Sequence, residues 1–112
     1  MDKFISVIIP VLNNIEGLRQ TLSALGSQTY PARLYEVIVV DNGSKEDLTR
    51  VIQEFDRVQL TYETQPGSYI ARNQGISIAR GEILAFTDSD CIPEPDWLAN
   101  GVKQLMSVDN CG

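Results

Sequence analysis

Glu36-Val37-Ile38-Val39-Val40 runs directly into Asp41-Asn42-Gly43-Ser44. The first stretch is nearly all β-branched and apolar, with no polar alternation, as in a parallel-sheet strand buried on both faces. The second stretch is made of turn formers. An apolar strand that stops abruptly in a polar turn places the turn at a sheet's carboxyl edge, where open parallel sheets bind ligands.

Three further strand-like runs flank this one. Phe4-Ile5-Ser6-Val7-Ile8-Ile9 is stopped by Pro10, which supplies no ladder donor. Gln59 to Glu63 alternates and is weaker, and Glu82-Ile83-Leu84-Ala85-Phe86-Thr87 is the fourth. Helical patterns lie between them. Asn14 caps a helix with Ile15, Leu18, Leu22 and Leu25 on one stripe. Ser44, with Asp47 three residues on, opens a second helix whose inner face is Leu48, Val51, Ile52 and Phe55. Ser68 opens a third, with Ala71, Gly75, Ile78 and Ala79 as a small-residue face for close packing. After Pro95, a fourth carries Leu98, Val102, Leu105 and Met106 almost to the end. This alternation implies right-handed βαβ crossovers and a mainly parallel sheet of about four strands, covered on both sides.

Composition bounds the function. The chain has 112 residues, one domain's worth, and 43% are apolar, enough for a packed core. Nine basic against fifteen acidic residues give a net charge of −6, which argues against nucleic acid or an anionic membrane as partner. The absence of histidine excludes histidine triads and histidine-ligated metals. Cys91 and Cys111 lack paired spacing, so reduced thiols of a cytosolic protein are expected instead of a disulfide. The longest apolar stretch, Ile5 to Leu12, is too short to span a membrane, and no leader pattern precedes it. The expected location is the cytoplasm, with peripheral association at the inner face of a membrane left open.

The parallel-sheet rule directs attention to the residues just after each strand: Pro10-Val11-Leu12-Asn13-Asn14, Asp41-Asn42-Gly43-Ser44, Thr64 to Ser68 leading into Arg72-Asn73, and Asp88-Ser89-Asp90-Cys91. Asp88 and Asp90 put two carboxylates in one turn, a donor set that suits Mg²⁺ or Mn²⁺ completed by a diphosphate. Two nearby aspartates are common in loops, and their position behind an apolar strand is what gives them weight. Asp41 reads equally as a turn former and as an acceptor for a pyrimidine N–H. Arg72 reads as a phosphate neutraliser or a solvated charge, Asn13 and Asn73 as loop braces, Trp97 as packing beside Pro95, and Cys91 as buried filler.

Taken together, Ser6-Val7-Ile8-Ile9-Pro10, Val39-Val40-Asp41-Asn42-Gly43-Ser44, Ala71-Arg72-Asn73 and Ala85-Phe86-Thr87-Asp88-Ser89-Asp90 resemble, in order and spacing, the family 2 glycosyltransferases. The resemblance runs from about Ser6 to Leu98. It implies the GT-A fold, a Rossmann-like α/β/α sandwich, and binding of a nucleotide-diphosphate sugar, usually a UDP-sugar, for cell-wall or polysaccharide synthesis. By the same resemblance Pro10, Val11 and Asn13 line the nucleotide pocket, Asp41 bonds the base, and Arg72 sits near base or diphosphate. Asp88 meets the ribose or a metal-bound water, and Asp90 ligates Mn²⁺ or Mg²⁺.

Two departures stand out. The family often has an aromatic residue where this chain has Leu12, which weakens stacking on the base. The family's catalytic carboxylate and acceptor-binding residues follow the metal motif in a later segment, whereas this sequence ends at Gly112. Residues 1–112 are therefore expected to be the nucleotide-sugar-binding half, without the acceptor half or catalytic base, and inactive alone. An uncovered apolar edge or face would favour a homodimer. The competing reading is a non-catalytic binding or assembly module that retains the fold. A nucleotidyltransferase would need a glycine- and arginine-rich loop after the first strand, and a phosphoacceptor domain an acidic pair there. Neither is present.

Overall fold

A computed structural model describes residues 3–104 and 108–109. The strands are β1 (Ile5–Val11), β2 (Tyr35–Asp41), β3 (Val58–Tyr62), β4 (Ile83–Phe86) and β5 (Val108–Asp109), and the α-helices are α1 (Ile15–Leu25), α2 (Thr49–Gln53), α3 (Ser68–Ile78) and α4 (Trp97–Gln104). One sheet contains all the strands in the order β3-β2-β1-β4-β5, with every neighbouring pair parallel. The α/β/α reading of the sequence is correct, with a two-residue fifth strand beyond the four expected. Among the described residues, no helix is long and apolar enough to cross a membrane.

The alternation of side chains across β1 and β2 creates two cores. Ile5, Val7, Ile9 and Val11 of β1, with Val37 and Val39 of β2, face α1, α2 and α4 through Leu18, Leu22, Val51 and Leu98. Ile8, Ile38 and Val40 point the other way and meet Ala71 of α3, so that face is covered by fewer residues. α3 approaches closely because Gly75 has no side chain. A Cβ there would lie 2.6 Å from Ile8 Cγ2 and 3.2 Å from Val40 Cγ2.

Several expectations need correction. Pro10 does not stop β1 but lies inside it, paired with Val40. Ile8 O accepts from Thr87 N, so positions 8 and 10 both direct their backbone groups toward β4. The β1–β4 pairing ends at Ile8↔Phe86, so an N–H at position 10 would have no partner strand. The second helix is only five residues long and Ser44 does not cap it. Its N-cap residue is Leu48, which makes no side-chain cap bond; Asp47, one residue earlier, accepts from Thr49 N at 3.0 Å, while Asp41 and Asn13 occupy Ser44. Leu105 and Met106 lie outside the described residues.

α4 shares the face of α1, although the step from β4 to β5 runs opposite to that from β1 to β2, so the two crossovers cannot both be right-handed. The segment before α4 is tied to the end of α1: Thr29 N donates to Pro95 O at 2.9 Å and Leu98 N to Gln28 Oε1 at 3.0 Å. Cys91 is disulfide-bonded, against the expectation of a reduced thiol. Sequence spacing does not reveal which segments the fold brings together. Cys111 lies outside the described residues.

Gly75→Ala tests the α3 contact. At an exposed helix position this change stabilises by about 1 kcal/mol. Here overpacking against Ile8 and Val40 should reverse the sign and destabilise by about 1–2 kcal/mol, measured by urea unfolding.

Candidate functional site at the carboxyl edge

Asp41 and the Asp88–Asp90 turn lie at the same edge of the sheet, at the carboxyl ends of β2 and β4 on either side of β1. Strand order reverses between β1 and β4, which is where such sheets open a crevice. A cleft of about 400 Å³ occupies that position. Pro10, Val11, Leu12 and Asn14 line it from β1 and its loop, Asn42 from the β2 loop, Gly67 and Ser68 from the start of α3, and Asp88, Ser89 and Asp90 from the β4 turn. Four chain segments thus contribute, as the sequence implied.

Carboxylate oxygens of Asp88 and Asp90 and the sulfur of Cys91 lie within 4.8 Å of one another. A disulfide sulfur is a poor ligand and a hard cation selects oxygen, so the carboxylates are the effective donors. Their chemistry and spacing fit one divalent cation whose remaining ligands come from a substrate. Arg72 Nη2 donates to Asp88 Oδ1 at 3.3 Å, holding that carboxylate from outside the cleft. Arg72 itself borders a smaller pocket with Tyr69, Asn73 and Phe86, and its buried Nε has no acceptor among the described residues.

The edge is held together by three asparagines: Asn13, expected in the pocket wall or as a loop brace, Asn14, expected as a helix cap, and Asn42, which stood out only as part of a turn. Asn13 Oδ1 accepts from Lys45 N at 2.8 Å, and its own N–H donates to Ser44 Oγ at 2.9 Å, joining the β1 and β2 loops. Its φ of 54° is one that asparagine tolerates better than most residues. Asn14 Oδ1 accepts from Gly17 N at 3.1 Å as a helix cap, while Nδ2 donates to Ser89 Oγ at 3.2 Å, joining the β1 and β4 loops. Asn42 Nδ2 donates to Glu63 O at 3.0 Å and Gln65 O at 2.8 Å, and its Oδ1 accepts from Gly67 N at 3.1 Å. That joins the β2 loop to the start of α3.

The β4 turn is seated on α1 as well. Thr21 Oγ1 donates to Ser89 O at 3.1 Å and to Cys91 O at 2.8 Å. A Cβ on Gly17 would overlap Ser89 O and the Asn14 amide, so this helix position admits only glycine without a shift. Thr21 and Gly17 gave no signal in the sequence beyond a helical pattern.

Of the residues singled out from sequence, Pro10, Val11, Asp88 and Asp90 line the cleft. Asn13 is not among them; it is exposed and joins the β1 and β2 loops. Asp41 is buried at 6% exposure, and its Oδ1 accepts from Gly43 N at 3.2 Å and Ser44 N at 2.8 Å. It therefore serves as a turn former, while Oδ2 makes no hydrogen bond among the described residues. Trp97 is buried and packs in the core as expected. Asn42, Asn14, Gly67, Ser68 and Ser89 complete the cleft.

The chain is similar in sequence and fold to known proteins. The family model for glycosyl transferase family 2 matches residues 6–109. The glycosyltransferase AglE of Haloferax volcanii is 47% identical over 110 residues, which cover 94% of this chain and 36% of that protein. The hyaluronan synthase of Pasteurella multocida is 32% identical over 95% of this chain and 11% of its own length. The chain thus spans little more than a third of the first relative and far less of the second. Among solved structures, the mannosyltransferase PcManGT of Pyrobaculum calidifontis, in complex with GDP-Man and Mn²⁺, superposes with a TM-score of 0.85 at 31% identity over 94% of this chain and 33% of that one. S. aureus TarS 1-349 in complex with UDP-GlcNAc gives 0.79 at 25% identity over 89% of this chain and 30% of that one.

Asn42→Asp is the sharpest test of the bracing. A carboxylate cannot donate to Glu63 O and Gln65 O, so the variant should lose about 2–3 kcal/mol of stability. Amide exchange should quicken at Gln65, Gly67 and Ser68 before it does in β1 or β2, read by hydrogen-exchange NMR.

Proposed function

Because this chain belongs to glycosyl transferase family 2, we propose that its carboxyl-edge cleft binds a nucleotide-diphosphate sugar through a divalent cation, for transfer of the sugar to an acceptor. The observation that carries this reading is the pair of carboxylates, Asp88 and Asp90, lining one cleft at the point where strand order reverses.

The residues divide the task. Asp90, the more exposed carboxylate, holds Mn²⁺ or Mg²⁺. Asp88, kept in place by Arg72, faces the ribose or a metal-bound water. Pro10 and Val11 form the wall of the nucleotide pocket. Asn13 supports that wall by fixing the β2 loop. Asp41 turns its uncommitted Oδ2 to an N–H of the base, which uracil and guanine both offer. The GDP-Man and UDP-GlcNAc complexes of the two structural relatives support the nucleotide-sugar class, and a UDP-sugar is our first choice. When bound, the cation supplies positive charge to the departing diphosphate.

Asp88 and Asp90 are the only carboxylates among the described residues that line the cleft, and both are committed to donor and metal. The proton-accepting carboxylate for the acceptor is thus assigned to a segment outside this cleft, and residues 1–112 to donor binding without turnover. The polysaccharide synthases among the relatives support a growing glycan as acceptor. Self-association through the sparsely covered α3 face, where Tyr69 and Ile76 are exposed, belongs to the same reading. A non-catalytic assembly module is disfavoured, because Asp88 and Asp90 both line an open cleft.

Calorimetric titration of UDP-GlcNAc and GDP-Man with Mn²⁺ tests the proposal. Binding should require the metal, be lost in EDTA and weaken by about tenfold or more in Asp90→Ala. Binding that ignores both metal and Asp90, or no binding across a nucleotide-sugar panel, would refute it.

A further inference from the structure

A cavity of about 690 Å³ lies at the opposite, amino edge of the sheet. Three arginines line it, each from the turn leading into a different strand: Arg33 before β2, Arg57 before β3 and Arg80 before β4. Parallel strands bring such turns to one edge, so three positions remote in sequence become neighbours. In a chain with nine basic residues and a net charge of −6, this is an uneven distribution.

The acids of the pocket are already matched. Glu36, buried at 3% exposure, accepts from Ser6 Oγ at 2.6 Å, Gln59 Nε2 at 3.2 Å, and Arg80 through N at 2.9 Å and Nη2 at 3.2 Å. Burial alone would raise its pKa. The bonds from Ser6 and Arg80 outweigh that and hold it below the ordinary glutamate value. Glu82 pairs with Lys3 at 3.4 Å. Arg33 and Arg57, by contrast, make no ion pair among the described residues. Arg57 stands at φ 62°, a conformation uncommon outside glycine, in a turn fixed by its carbonyl accepting from Val37 N at 3.1 Å.

We propose that this pocket is a second anion site, taking a phosphate-bearing group between the guanidiniums of Arg33 and Arg57. Guanidinium is the side chain best suited to forked, charge-assisted bonds with phosphate oxygens. Seven-residue strands separate this edge from the donor cleft by roughly 20 Å, so both can be filled at once. The phosphate can belong to a soluble diphosphate or to a lipid headgroup, and the shared chemistry is what the pocket recognises.

The test uses ¹⁵N-labelled protein in EDTA, so that a metal-dependent cleft stays silent, titrated with inorganic pyrophosphate. Amide shifts should move at Arg57, Gln59 and Arg80 and stay unchanged at Ser89 and Asp90. Arg33→Ser/Arg57→Ser should weaken the effect by about tenfold or more, with spectral dispersion showing that the fold is kept. Arg33→Ser alone serves if the double variant fails to fold. A parallel cosedimentation compares phosphatidylglycerol with phosphatidylcholine vesicles. Vesicle binding lost in the variant assigns the phosphate to a lipid, and a pyrophosphate response without vesicle binding assigns it to a soluble ligand. Shifts confined to other surfaces, binding that survives the variants, or no response to either probe would overturn the proposal.

Discussion

A parallel sheet ends its strands in loops that no ladder holds, and those loops must form any site at its carboxyl edge. In this chain the restraint comes from side-chain amides. An asparagine both donates and accepts, so one residue can hold backbone groups of two loops at once. Asn13 joins the first loop to the second, Asn14 the first to the fourth, and Asn42 the second to the third. Each link is individually worth about 1 kcal/mol, but together they fix four segments around one cleft. Asn14 and Thr21 thereby hold the turn that carries both carboxylates.

This arrangement explains why several side chains that line or border the cleft serve structure first. Asp41 is spent partly on its own turn, and Arg72 on Asp88. Thr21 and Gly17 act through α1, one by holding the Ser89 carbonyl and the other by leaving space for it. What faces the cleft is the carboxylate pair of the β4 turn, Asp88 and Asp90.

Much of this was legible in the sequence because apolar runs ending in polar turns mark strand ends directly. The run Glu36–Val40 with the turn after it and the Asp88–Asp90 triplet located two of the four loops, and the ordered motifs identified the family. Other features were hidden for physical reasons. Pro10 looked like a strand stop because its tolerance depends on β4 ending two residues short of it. Ser44 looked like a helix cap, but a loop residue 31 positions away claims its hydroxyl. Asn42 carried no special signal, since its three partners become neighbours only after β2 and β3 pair. The disulfide of Cys91 and the fifth strand likewise depend on long-range topology, which local spacing does not encode.

The central claim, that Asp88 and Asp90 form one cation site inside the cleft, is tested most directly by paramagnetic broadening. Substoichiometric Mn²⁺ added to ¹⁵N-labelled protein should selectively broaden the amides of Asn14, Gly67, Ser89 and Asp90, and spare Arg57 and Arg80 at the far edge of the sheet. Broadening spread evenly over exposed acids such as Glu46 and Asp47, with none centred on the β4 turn, would contradict it.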